Sequence, residues 1–532
     1  MAVELGASRL LAPYFSSSQI VWTIIIGTIM IAMALGNIYG GRKADKDPDP
    51  GKLYKRILIA ALWISAIPVF GKYVIIGISA LLIFAVNSNF LVIAAFAACM
   101  VVFVFPLFLL GTVTPSLAKY TTDSLDDNGR IIGTLGAFNT VGSIIGTFVP
   151  TFVTIPAVGT SITFLIFGGI LLLLSIVYFV SPSDGSAEGN EGKKNSSRSD
   201  KNRVIAGGLI FILCIVFGHS TSFAFWENGL TYEGESIYNY LQVKEDDRSV
   251  ILSTNVLFGV QSVLVKDGAL TGMYYDYAMA APYMAGIKEK EKAGENLDLL
   301  ILGMGSGTYA TQLGRYFDNL NIEGVEIDGS ITDLAHKYFE LDKNIPVATY
   351  DGRAYLAAVD TLYDVIMVDA YQDITIPFQM SSSEFFNMVK DHLKPGGVMV
   401  VNMNMYNGGE AGEEKTINTY LADTISSVFD NVGTVRVPYT TNRELFATDD
   451  DQFLDRLSAN AAYEENDTLK DMMYKVSEGY EAYAGTGNIM TDDKAPVELL
   501  GMKQIDNLIK EEVAYYKHIF ESEGIQGLLR LL

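Results

Sequence analysis

The first 226 residues alternate long apolar runs with short polar segments. A helix that crosses a bilayer needs about 20 predominantly apolar residues. The runs of about this length or longer are 19–39, 57–86, 90–113, 131–155, 161–181 and 203–225. The 57–86 run contains Pro68 and Lys72, so it predicts either one tilted helix or a broken pair. The pattern predicts a transmembrane helical bundle over 1–181 and one more transmembrane helix over 203–226.

Small and polar residues refine this picture of the bundle. The glycines Gly133, Gly136, Gly142 and Gly146 predict a face that packs closely against another helix. Ionisable residues are nearly absent at mid-membrane depth. This absence disfavours a proton-coupled pump but leaves open a carrier for neutral or lipidic molecules. Residues 182–202 are polar and rich in Gly and Ser, which predicts a flexible linker.

From about residue 297 the pattern changes to strand, glycine turn, helix and strand. An apolar run that ends at Leu302 is typical of a buried parallel strand. Gly303, Gly305 and Gly307 follow at alternate positions, where the missing Cβ allows a tight turn and a close ligand. The helix after Gly307 presents its amino-terminal amides to a polar or anionic group. Strands alternating with helices predict an α/β domain with a doubly wound parallel sheet.

Acidic residues end three of the predicted strands. Glu326 and Asp328 end the second strand, Asp351 with Gly352 ends the third, and Asp369 ends the fourth. Each acidic residue alone is equally well explained as a helix cap or turn residue. Ligands of doubly wound sheets bind outside the carboxyl ends of the strands, and an acidic residue there can accept hydrogen bonds from ribose hydroxyls. The set therefore predicts one nucleoside-binding site.

The charges are distributed unevenly along the chain. Residues 1–226 carry 15 Lys and Arg against 11 Asp and Glu, and the remainder carries 23 against 50. So acidic a surface repels nucleic acid, which we exclude as a partner, and either attracts cations or serves solubility. Cys99 and Cys214 lie in apolar runs, and the sequence has no disulfide framework or zinc-binding spacing. No metal site is predicted.

Five sequence blocks follow one another along this domain: the glycine loop, VEID at 325–328, DG at 351–352, VD at 368–369 and a PGG turn at 395–397. In this order they resemble the blocks of the spermidine synthases. The glycine spacing also differs from the GxGxxG fingerprint of dehydrogenases and is typical of S-adenosylmethionine-dependent enzymes. The resemblance implies a small β-rich subdomain over 227–290, a Rossmann-like catalytic domain over 291–440 and a carboxyl-terminal helical extension over 441–532.

The membrane part resembles bacterial and archaeal proteins described as fused major-facilitator/spermidine synthases. The similar blocks are ELGASRLLAPYF at 4–15, GGRKAD at 40–45 and GRIIGTLGAFNTVGSIIG at 129–146. In that family another helix normally precedes the first block. We therefore expect either that this helix is missing here or that the start of the chain is misassigned.

The resemblance also implies roles for individual residues. Glu326 would hold the ribose, Asp351 the adenine amino group and Gln261 the nucleoside, beside the loop Gly303, Gly305, Ser306 and Gly307. Asp369 corresponds to the general base, which would take the proton that an amine must lose before it attacks carbon. Asp373 would be the second carboxylate of that loop. Tyr274, Tyr275 and Tyr371 would line the acceptor-amine site.

Three departures from the family pattern concern the amine rather than the nucleoside. Soluble spermidine synthases have an Asp where this chain has Ser306, and a Gln where it has Tyr275. Their two loop Asp residues are separated by two positions, whereas Asp369 and Asp373 are separated by three. Near the carboxyl end, Asp492 and Asp493 would either cap a helix or line the acceptor pocket. The resemblance therefore leaves the identity of the donor and of the acceptor open.

The sequence predicts a multi-pass membrane enzyme that uses decarboxylated S-adenosylmethionine or S-adenosylmethionine as co-substrate. The leading function is aminopropyl transfer to a small polycationic amine such as putrescine. The alternatives are a methyltransferase acting near the membrane and a ligand-binding transporter or sensor. The predicted partners are the lipid bilayer and the amine, and a homodimer is an open option. Because S-adenosyl donors are made in the cytoplasm, we expect residues 227–532 to be cytoplasmic.

Overall fold

The structure, a computed structural model, describes residues 1–15, 18–83, 89–121, 128–181, 196–220, 222–227, 229–256, 260–371, 376–404 and 416–529. Its amino-terminal part is helical. The helices are α1 (Ala2–Phe15), α2 (Gln19–Lys46), α3 (Pro50–Ile83), α4 (Phe90–Val102), α5 (Val104–Gly111), α6 (Val113–Thr121), α7 (Asn128–Val149), α8 (Ile155–Val180) and α9 (Ser196–Gly218). A π-helical turn, Pro150–Thr154, joins α7 to α8.

Four helical stretches of the described residues are long and apolar enough to cross a membrane, and the bent pair of α4 with α5–α6 would make a fifth. The long apolar run forms one helix, α3, although Pro68 lies inside it. The predicted runs 131–155 and 161–181 lie in one stretch that is interrupted at Gly159, whose φ is 79°. The predicted apolar runs therefore form the helices of the bundle, but two neighbouring runs join into one long helical stretch.

Of the four α7 glycines selected from the sequence, Gly146 packs against another helix: a Cβ there would lie 3.4 Å from the Cβ of Met1 and 3.5 Å from the amide nitrogen of Ala2, at the start of α1. Closer helix packing occurs at a glycine outside that set. A Cβ on Gly111 would lie 2.6 Å from the carbonyl oxygen of Met33, so this glycine allows α5 to approach α2. A Cβ on Gly133, Gly136 or Gly142 would meet nothing within 4 Å. The prediction that these three pack against another helix is wrong for the described residues, because no other described helix lies along that face of α7.

The bundle has two distinct ends. At one end, the start of α3 meets the end of α8, where the rings of Tyr54 and Tyr178 stack with centroids 3.9 Å apart. Lys119 of α6 forms an ion pair with Asp45 of α2 at the same end, at 3.3 Å. We call this the basic end, because α2, α3 and α6 carry Lys and Arg residues there. The remaining part of the chain docks at the opposite end.

The carboxyl-terminal unit, residues 229–529 as described, begins with a four-stranded antiparallel sheet. Its strands, in sheet order, are β1 (Leu230–Glu235), β2 (Tyr240–Glu245), β3 (Ser249–Ser253) and β4 (Ser262–Val265). Leu241, Val243 and Leu252 are buried from one face of this sheet. They pack against Leu334 and Phe339 in the following domain, so the small sheet is fixed to that domain.

A second, eight-stranded sheet forms the centre of the unit. Its strands are β5 (Leu297–Leu302), β6 (Leu320–Glu326), β7 (Val347–Thr349), β8 (Tyr363–Val368), β9 (Leu393–Met403), β10 (Asn431–Arg436), β11 (Arg443–Thr448) and β12 (Tyr480–Ala482), in the order β12-β10-β11-β9-β8-β5-β6-β7. The five strands from β9 to β7 are parallel, and β11, β10 and β12 add antiparallel pairs. The sheet is therefore mixed rather than wholly parallel.

Helices cover both faces of this sheet. They are α10 (Tyr274–Ala278), α11 (Ala280–Met284), α12 (Ile287–Ala293), α13 (Thr308–Tyr316), α14 (Gly329–Tyr338), α15 (Gly352–Leu356), α16 (Ser383–Asp391), α17 (Ile417–Ser426), α18 (Phe453–Ala462), α19 (Asp467–Gly479) and α20 (Val497–Leu529). One core lies between the sheet and α10–α13, α18 and α19, and the other lies between the sheet and α15–α17. The predicted fold class, a helical bundle with an α/β Rossmann-like domain and a small β subdomain, is confirmed.

Element boundaries differ from the predicted ones in three places. The helix α9 begins at Ser196, inside the predicted linker, and ends at Gly218 rather than 226, where Gly218 and the polar residues after it end the apolar run. The region 227–290 is β-rich only to Val265 and then helical. The region 441–532 contains β11 and β12 as well as helices, because the apolar residues of RELFAT are buried in the sheet.

The carboxyl-terminal unit contacts the bundle through apolar and polar side chains. Tyr14 of α1, Phe223 and Tyr240 of β2 belong to one buried cluster that also takes in Ile505 of α20. The hydroxyl of Tyr14 donates to the carbonyl oxygen of Phe223 at 2.9 Å. Each fully buried large apolar side chain contributes roughly 1.5–3 kcal/mol. The last helix, α20, therefore packs at the interface with the bundle through Ile505.

Candidate active site

The glycine loop after β5 brings two strand ends together. Gly303 has a φ of 87°, and a Cβ there would lie 2.6 Å from the Cα of Ala370, which follows β8. A side chain at this position would therefore separate the loop from the residue after Asp369. Glycine is needed here both for the left-handed backbone and for this close approach.

The loop opens into a cleft of about 160 Å³ at the carboxyl ends of the parallel strands. Eight of the predicted site residues line it: Gln261, Gly303, Gly305, Glu326, Asp351, Gly352, Asp369 and Tyr371. They come from the loop after β5, the end of β6, the segment after β8, the start of α15 and the residue before β4. Doubly wound sheets bind their ligands in clefts of this kind, outside the carboxyl ends of the strands.

Glu326 is fixed by backbone amides and is almost fully buried. Its Oε2 accepts a hydrogen bond from the amide of Gly305 at 2.8 Å, and its Oε1 accepts one from the amide of Asp328 at 3.0 Å. Burial raises the pKa of this carboxyl, while these hydrogen bonds oppose the shift. A carboxylate has about four acceptor sites, so lone pairs remain for two hydroxyl donors.

Asp351 both caps a helix and lines the cleft. Its Oδ1 accepts from the amide of Ala354 at 2.8 Å, at the start of α15. Asp351 is therefore a helix cap and a cleft residue at once, because one of its oxygens caps α15 while the residue lines the cleft. The carboxylate is held in one orientation by the cap.

Three other predicted nucleoside contacts do not line the cleft. Asp328 is buried, and its Oδ2 accepts hydrogen bonds from Ser236 at 2.5 Å and Asn239 at 2.9 Å in the small sheet. Its Oδ1 caps α14 through the amide of Ser330 at 3.1 Å. Ser306 is fully buried and its hydroxyl pairs with Thr308 at 2.9 Å. Gly307, the third, supplies the left-handed turn before α13.

Asp369 lies on the cleft wall between two side-chain donors. The hydroxyl of Tyr274 donates to its Oδ2 at 2.5 Å, and the amide nitrogen of Asn402 donates to its Oδ1 at 3.1 Å. Burial raises the pKa of this carboxyl to about 7, although both hydrogen bonds favour the charged form. A carboxyl with that pKa can accept a proton near neutral pH.

The other predicted amine-site residues have different positions. Tyr275 is buried with its ring centroid 4.0 Å from that of Tyr274. The hydroxyl of Tyr371 donates to the carbonyl oxygen of Asn402 and accepts from the amide of Asn404 at 3.0 Å. Asp373 lies outside the described residues. Tyr274 is therefore the predicted tyrosine that touches the Asp369 carboxylate.

Asp492 is neither a helix cap nor a pocket residue. Its two oxygens accept from the guanidinium of Arg353 at 2.6 Å each, and one also accepts from the hydroxyl of Ser382 at 2.6 Å. It thus ties the segment before α20 to α15 and α16. Neither Asp492 nor Asp493 lines the cleft.

Sequence reasoning missed several residues of the site. Asn402 ends β9, so the strand-end rule that selected the acidic residues would also have found it had amides been considered. Tyr238, Asn239, Tyr350 and Gln379 also line the cleft. Gln379 lies in the short 3₁₀ turn Phe378–Met380 and the others lie in loops, where no spacing indicates a ligand contact. Among the described residues, no group of three or more His, Cys, Asp or Glu is arranged to hold a metal ion.

The chain is similar to known proteins over the part that forms this cleft. The family model that describes the spermine/spermidine synthase domain matches residues 283–445, which include Glu326, Asp351 and Asp369. A probable polyamine aminopropyl transferase of Bifidobacterium longum is 51% identical over 352 residues, or 63% of this chain and 76% of that protein. The chain belongs to the spermidine synthase family. It is accordingly an enzyme that uses an S-adenosyl donor.

Two further similarities are to a methyltransferase and to a solved structure. Putrescine N-methyltransferase 2 of Nicotiana attenuata is 29% identical over 170 residues, which are 30% of this chain and 44% of that protein. A probable spermidine synthase structure from Corynebacterium glutamicum shares 20% identity with a TM-score of 0.37, covering 48% of this chain and 96% of that one.

Proposed function

We propose that this spermidine synthase family member is a membrane-anchored aminopropyltransferase. It would transfer an aminopropyl group from decarboxylated S-adenosylmethionine to a small amine such as putrescine. The observation that carries the proposal is the Asp369 carboxylate, which lies on the wall of the nucleoside cleft between Tyr274 and Asn402. The relative from Bifidobacterium longum, named as a probable polyamine aminopropyl transferase, supports the same activity.

The reaction needs one bond to form and one to break. The acceptor nitrogen loses a proton to Asp369 and attacks the donor carbon next to the sulfonium. The carbon–sulfur bond breaks, and its electron pair stays on sulfur to give methylthioadenosine. Glu326 and Asp351 would hold the nucleoside, so that the reactive carbon lies near the base; such positioning reduces the entropic part of the barrier.

A methyltransferase is the second candidate, favoured by Ser306. This residue stands where soluble spermidine synthases have an Asp, and its hydroxyl is already paired with Thr308. Serine carries no negative charge, so it would not repel a donor that keeps its carboxylate. The 29% identity to a putrescine N-methyltransferase fits this alternative as well.

Product mass spectrometry separates the two candidates. Purified protein would be incubated with decarboxylated or intact S-adenosylmethionine and a panel of amines. We expect aminopropylated amine from the decarboxylated donor, and about 10²–10⁴-fold less of it from Asp369→Asn. A product that gains only a methyl group, formed from the intact donor, would establish the methyltransferase instead. Binding of donor without any amine product would indicate a sensor or transporter.

The side of the membrane on which the carboxyl-terminal unit lies can be inferred from the donor and from the loop charges. S-adenosyl donors are made in the cytoplasm, which favours a cytoplasmic carboxyl-terminal unit. The positive-inside rule favours the opposite side. Of the 15 Lys and Arg residues in 1–226, 13 lie in the segments 42–56, 119–130 and 193–203, whereas the unit docks at the end opposite the basic end. We propose the cytoplasmic placement, because turnover in the cell requires the donor.

Paired cysteine labelling tests the placement without counting helices. Ser181 is exposed at the end of α8, at the basic end, and Ser458 is exposed on α18 of the carboxyl-terminal unit. Each would be changed to Cys in a chain whose buried Cys99 and Cys214 are replaced. A membrane-impermeant reagent should label intact cells at Ser181→Cys and not at Ser458→Cys. The reverse pattern would place the unit outside and would require a donor supplied across the membrane.

A further inference from the structure

Three neighbouring strand ends meet beside the cleft. Asp369 follows β8, and Asn402 lies near the end of β9, which runs parallel to β8. Strand β11 is antiparallel to β9, so it begins where β9 ends, and Arg443 at its start lies opposite Met403. Asn442 is the residue before that start. The topology of the sheet therefore places Asp369, Asn402 and Asn442 side by side at one edge.

The three side chains are joined by two hydrogen bonds, which we call the amide chain. The Nδ2 of Asn442 donates to the Oδ1 of Asn402 at 2.7 Å, and the Nδ2 of Asn402 donates to the Oδ1 of Asp369 at 3.1 Å. The other carboxylate oxygen of Asp369 accepts from the hydroxyl of Tyr274 at 2.5 Å. Asn402 is buried, so loss of either bond of the amide chain would leave a polar atom away from water.

The direction of the amide chain matters, because a side-chain amide has a donor end and an acceptor end. An ionised carboxylate only accepts hydrogen bonds. Asn402 therefore favours a charged Asp369 only when its NH₂ group points at the carboxylate and its oxygen points away. The donor of Asn442 meets that oxygen and so stabilises this orientation. In the reversed orientation the oxygen of Asn402 would face Asp369 and oppose its charge.

We propose that Asn442 is a positioning residue for the base, an inference that rests on the proposed function. It holds the Asn402 amide in the orientation that favours the ionised, proton-accepting form of Asp369. Neither Asn402 nor Asn442 is among the described residues that line the cleft. The turn between β10 and β11 thus acts on the base through one intervening side chain, without touching the substrate.

Other titratable groups also act on Asp369 from outside the amide chain. They are Glu326, Glu444, Tyr274, Tyr275 and Tyr371. Burial raises the pKa of Asp369 to about 7. The donors Tyr274 and Asn402 oppose that rise, and the charge of Glu326 adds to it. A substitution of Asn442 leaves all these titratable groups in place, so the shift that it causes should report the amide chain.

Infrared titration tests the proposal without turnover. The full-length protein would be titrated with acid and base, and the carboxyl band of Asp369 would be assigned by its loss in Asp369→Asn. We expect Asn442→Ala to raise the pKa of Asp369 by less than about one unit, the shift expected for Asn402→Ala, because Asn402 can still donate. Asn442→Asp should raise it by about one to two units, since a carboxylate there only accepts and would turn the Asn402 amide around.

A double variant separates the amide chain from other effects of the substitution. In Asn402→Ala the chain is already broken, so the addition of Asn442→Ala should cause no further shift in the pKa of Asp369. Asn442→Asp in the same background measures the direct effect of the new charge, which should be the smaller part of its shift. The rising limb of kcat/KM should move in the same direction as the infrared pKa.

Asn431→Asp is the matched control. Asn431 lies at the far end of the same strand pair, opposite Thr448, and its Nδ2 donates to Asp451 at 2.9 Å. The new carboxylate would repel Asp451, so it should lower thermal stability without moving the pKa of Asp369. An unchanged pKa in both Asn442 variants, or shifts that add fully in the double variant, would overturn the inference. Because the titration needs neither donor nor amine, absence of aminopropyl transfer would overturn only the proposed function.

Discussion

The part of the site proposed to bind the nucleoside and the part proposed to bind the amine, which we call the nucleoside half and the amine half, are built in different ways. In the nucleoside half, Glu326 and Asp351 lie within one continuous stretch of strands and helices, and backbone amides hold both carboxylates. In the amine half, Asp369 depends on side chains that come from α10 and β9. Backbone-held groups follow from local sequence, whereas a side-chain network requires distant segments to meet. Substitutions in the two halves should therefore affect different measurements.

Asp369→Asn should have the largest effect. The amide keeps the shape of the side chain but cannot take the proton from the attacking amine. We expect turnover to fall about 10²–10⁴-fold, the usual contribution of general acid–base catalysis. Methylthioadenosine affinity, measured by calorimetry, should be nearly unchanged. Asp373→Asn is the comparison variant, and a larger loss of turnover there would assign the base to Asp373.

Removing a nucleoside-half carboxylate should show the opposite pattern. Glu326→Ala and Asp351→Ala should each weaken methylthioadenosine binding by on the order of 1.5–3 kcal/mol, since each removes a hydrogen bond that involves a charged group. The pH dependence of turnover should stay unchanged in Asp351→Ala, whereas Glu326→Ala should shift its rising limb to lower pH, because the charge of Glu326 helps to raise the pKa of Asp369. If calorimetry shows unchanged affinity in both variants, the assignment of the nucleoside pocket is wrong. Asp351→Ala also removes a helix cap, so its thermal stability should be measured alongside.

Asn402→Ala should move the pH profile. Asp369 acts as a base only when ionised, and its pKa is raised to about 7, so kcat/KM should fall as the pH drops below that value. The hydrogen bond from Asn402 favours the ionised form, so its loss should raise the pKa and shift the rising limb to higher pH by about one unit. Asp351→Ala serves as the control. If the rising limb of the kcat/KM profile moves equally in both variants, then this limb does not report the ionisation of Asp369.

Local sequence patterns predicted where the strands end better than they predicted which side chains face the cleft, for a physical reason. Strand ends and glycine turns have local patterns, and these placed Glu326, Asp351 and Asp369 at one edge. Asp328 has the same local pattern, yet its carboxylate binds Ser236 and Asn239 of the small sheet, about 90 residues earlier. No local pattern distinguishes an acidic residue that faces a ligand from one that faces another strand.

The same limit applies to the sheet and to the bundle. Glu444 lies in a short strand whose pairing with β9 joins residues about 40 positions apart, so its neighbour Asn402 could not be inferred from spacing. The glycines of α7 have the spacing of a packing face, but a spacing does not reveal whether a second helix is present. Periodicity predicts which face of an element is apolar or small, and only the tertiary structure gives its partner.

The smallest predicted effect links the nucleoside half to the membrane bundle. The guanidinium of Arg9 in α1 donates to the carbonyl oxygen of Ser236 at 3.4 Å, and the Ser236 hydroxyl donates to Asp328 at 2.5 Å. The amide of Asp328 in turn donates to Glu326 at 3.0 Å. Arg9→Met should therefore weaken methylthioadenosine binding by about 0.5–1.5 kcal/mol, the net value of one hydrogen bond.

A second contact between the bundle and the carboxyl-terminal region separates this path from general loosening. The ammonium of Lys72 in α3 donates to the carbonyl oxygen of Ser222 at 2.6 Å, which has no such connection to Glu326. Lys72→Met should leave methylthioadenosine affinity unchanged, because it alters docking without touching Ser236 or Asp328. Equal losses in the two variants would mean that the bundle acts on the cleft only by holding the carboxyl-terminal unit in place. A loss of affinity confined to Arg9→Met would show that α1 helps to position Glu326, the carboxylate proposed to bind the ribose.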